Sequence, residues 1–186
     1  MLLSGCSQYF PNEPNQKSHH GSFHIENVST ETGDFFCHRI FELTHEGQPE
    51  EKRTVNHLQF TDWPNYGVPK ATAPIANFVK LVHHKAAQMK LNAQDAEEPE
   101  LVIHCSGGIG RSGAFLTSYG LFSHFNNVKD NKLEPAPSGD EMQAIDLTET
   151  VKELRGQRHP WMVEGFQQYE MTYRIILHLL NEIINA

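Results

Sequence analysis

The chain has 186 residues, a length that suits one domain with a proper core. Apolar residues make up 38% and charged residues 20%, which is a globular rather than a disordered balance. Its 23 Asp and Glu against 15 Lys and Arg leave a net charge of −8, which argues against a nucleic-acid or anionic-membrane binder; no apolar run approaches bilayer-spanning length.

In chain order, polar punctuation at 11–22 (PNEPNQKSHHGS) reads as a loop, followed by strand-like segments SFHIENVS, FFCHRIFELT and RTVNHLQF. In the last of these Leu58 and Phe60 share a face. From Thr72 to about Met89 the apolar residues Ile75, Phe78, Val79 and Val82 recur at helical spacing. A second loop spans 92–100. LVIHC, at 101–105, is a short apolar run expected to be a buried strand. GAFLTSYGLFSHF then reads as a helix apolar nearly all round, fit for the middle of a domain. A long Pro-containing loop at 126–141 precedes two further helices, roughly 144–156 and 164–184, the latter with Phe166, Tyr169, Tyr173, Ile176 and Leu180 at its apolar positions. Strands first and helices after, with one buried strand feeding a buried helix, predict an α+β (α/β) architecture. A single domain over 1–186 follows.

Three cysteines, Cys6, Cys37 and Cys105, form neither an even disulfide set nor a metal-ligand pair. MLLSGC superficially looks like a lipoprotein cleavage site, but only five residues precede Cys6 and none is basic. A reducing, cytoplasmic compartment is the expectation. Of the twelve histidines, His19, His20 and His24 and the pair His83-His84 show no zinc-site spacing and read as solvated side chains.

LVIHCSGGIGRSG carries the chemistry. A strand that turns through glycines into a helix makes an anion site, because turn N–H groups point inward and the helix's positive end lies behind them. Gly107, Gly108 and Gly110, with Ser106 and Ile109, would form the phosphate-binding backbone, and the glycines permit φ angles costly to other residues. Arg111 can hold two oxygens of a tetrahedral anion through its planar fork. The same field favours a thiolate at Cys105, Ser112 can donate to its sulfur, and His104 can brace the loop from behind. A thiolate beneath a bound phosphate describes phosphoryl transfer through a covalent thiophosphate. No Gly-Lys-Ser/Thr follows the glycines, which excludes a Walker-type loop. Thiolate, guanidinium and backbone dipoles supply the electrostatics, so no metal or other cofactor is expected.

HCSGGIGRSG resembles the signature loop of the cysteine-dependent protein tyrosine phosphatases. CSQYFP (6–11), GDFFCHRIFEL (33–43) and TDWPNYGVP (61–69) resemble segments that precede that loop in the phosphotyrosine-specific branch, and VKELRGQRHPWMVEGFQQY (151–169) resembles its later glutamine-bearing loop. The resemblance implies a central twisted mixed sheet flanked by helices, and a phosphotyrosine-bearing protein or peptide as partner. Dual-specificity and inositide phosphatases share only the Cys-to-Arg core, and SGGIG lacks the lysine common in the inositide loop.

Three departures from the family pattern qualify it. Asn65 stands where the family's Trp-Pro-Asp loop supplies a general acid; an amide can hydrogen-bond the leaving oxygen but not protonate it, and Asp62 is expected to face elsewhere. Loss of a positioned general acid typically costs about 10²–10⁴ in rate. Glu164 matches the position of a water-orienting glutamine, either serving as a base for water or pointing into solvent, while Gln168 matches a second family glutamine and is retained. Finally, the resemblance starts late: the family's aromatic recognition loop and a glutamate-bearing segment that braces the signature arginine have no counterpart, so either the chain is N-terminally short or a partner covers that face. A slow phosphatase, a pseudophosphatase that captures phosphotyrosine proteins without turnover, and a non-functional relic are the readings that remain.

Overall fold

A computed structural model describes residues 8–64, 67–92, 100–129 and 146–185. They fall into two compact units, 1–63 and 64–186.

The first unit is a four-stranded antiparallel sheet in the order β1-β2-β3-β4: β1 Lys17–His20, β2 Phe23–Thr32, β3 Phe36–His45 and β4 Gln48–Phe60. Two-residue connections link β1 to β2 (His20 pairs with Phe23) and β3 to β4 (His45 pairs with Gln48). Gly21 supplies the positive φ, 60°, that the first connection requires. β1 lies inside the segment expected to be a loop, and β4 begins five residues before the expected strand. Both carry mainly exposed polar side chains, as edge strands do, and so show no apolar period. The segment 8–16 is tied onto this sheet. Asn27, fully buried, donates to the carbonyls of Pro11 and Asn12, and Arg39 donates to Asn12 and lies over the Phe10 ring.

The second unit is helical: α1 Thr72–Asn92, α2 Gly110–Lys129, α3 Leu147–Gln157 and α4 Gly165–Asn185. As its sequence predicts, α2 is central, packing against α1, α3 and α4. Its core joins Ile75, Phe78, Val79 and Val82 of α1 to Phe115, Leu121 and Phe122 of α2 and to Met171, Ile175, Ile176 and Leu179 of α4. Asp146 caps α3, its carboxylate accepting from the N–H groups of Thr148 and Glu149. On α4 the buried stripe runs through Met171, Thr172, Ile175, Ile176 and Leu179, whereas Phe166 and Tyr173, expected on the apolar face, are exposed.

The α+β class is as expected, but two details differ. The sheet is wholly antiparallel rather than mixed. The strand that would have mixed it, residues 101–105, runs outside any ladder, with Val102 80% exposed. An apolar run becomes a strand only where a neighbouring edge accepts its hydrogen bonds, and the ladders among the described residues are confined to β1–β4. No helix among the described residues is long and apolar enough to cross a membrane.

Candidate active site

Cys105 ends the extended segment, four residues follow, and α2 starts at Gly110 with Arg111 in its first turn. The glycines have separate tasks. Gly108 has φ 66°, a left-handed conformation that costs a residue with a Cβ about 1–2 kcal/mol. At Gly110 an added Cβ would lie 2.6 Å from Gln168 Oε1, so the α4 carboxamide rests directly on the start of α2. At Gly113 a Cβ would lie 2.5 Å from the Val163 nitrogen, so the 162–163 backbone crosses the helix there at closest approach. The first turn of α2 is thus packed against Gln168 of α4 and against the segment joining α3 to α4.

Half-buried Cys105 feels two opposed influences. Burial pushes the thiol up, but hydrogen bonds from the Ser112 hydroxyl and from the backbone N–H groups of Ser112, Ile109 and Gly108 together outweigh it, and the pKa falls below the ordinary thiol value. The Ser112 Oγ is buried without a partner in good hydrogen-bond geometry. It therefore bears on the sulfur as a loosely aimed donor. Arg111 is partly buried, and its guanidinium makes no hydrogen bond or ion pair among the described residues. Three N–H groups directed at one sulfur and the positive end of a 20-residue helix share one place, with Arg111 in the first turn of that helix. His104 Nδ1 is 3.3 Å from the Cys105 carbonyl, which can only accept, so this bond belongs to the tautomer protonated at Nδ1.

Gln168 Oε1 accepts from the Glu164 N–H at 3.0 Å, which fixes the carboxamide beside Gly110. The Glu164 residue itself is exposed. Asn65 lies outside the described residues, as does Cys6. The structure therefore brings Ser112 and the Gly108 and Ile109 amides to Cys105, with Arg111 in the first turn of α2, Gln168 against Gly110 and Glu164 on the adjoining turn.

Two arginines escaped sequence reasoning. Arg155 donates from Nε to the Met162 carbonyl (2.9 Å) and from Nη2 to the Val163 carbonyl (3.2 Å). Val163 is fully buried at φ 59°. Arg158 donates from Nε to the Gly108 carbonyl at 3.4 Å. Their only sequence signal is the spacing LRGQR at the end of α3, which on its own is an ordinary basic helix end. Among the described residues no cluster of three or more His, Cys, Asp or Glu is placed to hold a metal.

A thiol with a lowered pKa that faces several amides, followed by a helix-borne arginine, makes a cysteine-bearing loop suited to an oxyanion. The protein-tyrosine phosphatase family profile matches residues 3–178, and the chain belongs to that family. It is 29% identical over 177 residues to mouse tyrosine-protein phosphatase non-receptor type 9, an alignment covering 92% of this chain and 27% of that protein. It is 31% identical over 180 residues to Dictyostelium discoideum tyrosine-protein phosphatase 2 (96% and 42%). It is 30% identical over 175 residues to zebrafish (Danio rerio) receptor-type tyrosine-protein phosphatase F (94% and 8%). The chain thus spans less than half the length of each.

Proposed function

We propose that the chain is one phosphatase domain that takes the phosphate of a phosphotyrosine-bearing protein into the 105–111 loop and removes it slowly. The Cys105 thiolate attacks phosphorus and the bond to the tyrosine oxygen breaks. Because Asn65 has no proton to give, the phenolate leaves as such and is protonated by solvent. Tyrosine's ordinary pKa of about 10 makes it a poor leaving group without that proton. Water beside Gln168 then attacks the phosphocysteine, releasing inorganic phosphate and restoring the thiolate. Arg111 and the loop amides take up the charge on the equatorial oxygens throughout.

The observation that carries this reading is the convergence of the Gly108, Ile109 and Ser112 N–H groups on the Cys105 sulfur at the start of the helix that bears Arg111. It is tested by mass spectrometry after brief exposure to an aryl phosphate with an acidic phenol. A phosphate adduct lost in Cys105→Ser supports turnover, and a native protein that never gains the adduct refutes it. Asn65 also favours a second reading, capture of phosphotyrosine proteins without turnover. The two separate on Asn65→Asp. An impaired enzyme gains about 10²–10⁴ on phosphotyrosine peptides and little on acidic phenols, whereas a folded Asn65→Asp protein inert on both leaves capture alone.

A further inference from the structure

The anion loop needs a constraint that its own sequence does not provide. Glycine enters the left-handed region about as readily as it leaves it, so Gly107 and Gly108 permit the inward-turned conformation without enforcing it. An added Cβ at Gly107 would meet nothing within 4 Å, so packing does not hold that residue. Yet the Gly108 N–H is one of those directed at the sulfur. Electrostatic stabilisation of a transferring phosphoryl group depends on such dipoles being aimed before the ligand arrives.

Arg158 supplies the hold. It stands immediately after α3 as its C-cap, its backbone N–H donating to the Leu154 carbonyl at 3.0 Å. Its side chain crosses to the loop, where Nε donates to the Gly108 carbonyl and Nη2 lies 3.1 Å from the point a Gly108 Cβ would occupy. The guanidinium therefore lies against the one residue of the loop with a left-handed backbone. Among the described residues it has no ion pair and no other hydrogen bond, so a surface ion pair does not account for it. One helical turn earlier, Arg155 secures the carbonyls of Met162 and Val163, which cross α2 at Gly113. The end of α3 thus bonds both the cradle, through Arg158, and the backbone that crosses α2, through Arg155.

We propose that Arg158 is a positioning residue, clamping the Gly108 carbonyl so that the Gly108 and Ile109 amides face inward before a ligand arrives. This inference rests on the phosphate-cradle reading of residues 105–111. The clamp touches neither phosphate nor sulfur. Its contribution is one long hydrogen bond, 3.4 Å, at the weak end of the range, and loss of a bond of that strength changes an equilibrium by about 3–10-fold.

The test compares the native chain, Arg158→Ala, Arg158→Lys and the control Lys152→Ala, which breaks an exposed ion pair with Glu149 on the same helix. Two quantities are read on protein shown to be folded by circular dichroism. One is the pH profile of Cys105 alkylation by iodoacetamide; the other is the affinity for tungstate, a tetrahedral oxyanion. Arg158→Ala is expected to slow alkylation at pH 7 and weaken tungstate binding, each by about 3–10-fold, with the alkylation midpoint moved to higher pH. Arg158→Lys should fall between, because an ammonium lacks the planar fork, and Lys152→Ala should match the native chain. A folded Arg158→Ala protein with native profile and affinity overturns the clamp. So does an Arg158→Lys protein indistinguishable from native, since charge alone would then suffice; this second result stands even if Arg158→Ala fails to fold. A native chain that binds no tungstate and whose thiol titrates like free cysteine overturns the underlying phosphate reading instead.

Discussion

Gly113→Ala sets two known effects against each other. Within an exposed helix the change from Gly to Ala gains about 0.8–1.0 kcal/mol in propensity, and Gly113 sits in the first turn of α2. The new Cβ, however, would lie 2.5 Å from the Val163 nitrogen, 3.2 Å from the Met162 carbonyl carbon and 3.3 Å from its Cα. Comfortable separation begins at about 3.5 Å, so the 162–163 backbone must retreat by about 1 Å. It has little room to do so, because Met162 and Val163 are fully buried and Arg155 holds both carbonyls. Overpacking costs about 1–3 kcal/mol, and the upper end applies where the obstacle is backbone that cannot rotate aside. The net loss is about 2 kcal/mol, equivalent to a fall of about 4–8 °C in melting temperature for a chain of this size. Thermal unfolding followed by circular dichroism reads it. A melting temperature equal to or above the native one would show that the crossing at Gly113 is looser than the structure has it.

At Gly110 the obstacle is the end of a flexible side chain, so Gly110→Ala should leave the melting temperature within about 2 °C of native while pushing Gln168 aside. Its effect belongs to the second chemical step, and rapid-quench measurement should show a longer-lived phosphocysteine with the rate of its formation little changed. The lowered thiol pKa of Cys105 means that the unfolded chain holds the proton more tightly than the folded one. Stability should therefore rise with pH from the folded-state pKa up to about 9.0, the ordinary thiol value, and the rise should vanish in Cys105→Ser. Ser112→Ala removes the buried donor beside the sulfur and should shift the midpoint of iodoacetamide alkylation to higher pH; an unchanged midpoint would mean that the amides alone set it.

The parts legible in the sequence were those encoded locally. α1 and α2 were readable from the 3.6-residue recurrence of Ile75, Phe78, Val79 and Val82 and from the apolar run after Ser112. The cradle was readable because its nucleophile, amides and guanidinium lie within seven consecutive residues. What escaped depends on partners distant in sequence. LVIHC has the composition of a strand, but pairing is decided by an available edge. Lys17–His20 and the first half of β4 pair without an apolar face, held by ladders with β2 and β3. Arg158 reaches Gly108 across 50 positions, and no periodicity announces such a bond. On α4, Phe166 and Tyr173 fit an apolar period that the packed helix does not use, because Met171 and Ile175 are buried instead on a helix that packs against α2 and α1.

Val163 shows how turn chemistry and interior packing can disagree over one residue. A β-branched side chain at φ 59° is a poor choice for the backbone, which Gly or Asn would satisfy at lower cost. Yet the valine is sealed inside with Leu121, Val151 and Ile176, and burying such a side chain is worth about 1.5–3 kcal/mol. The two quantities nearly cancel. An engineer who mutates this site to relax the main chain will therefore gain almost nothing in fold stability, and will open a void directly beneath the helix that carries Arg111.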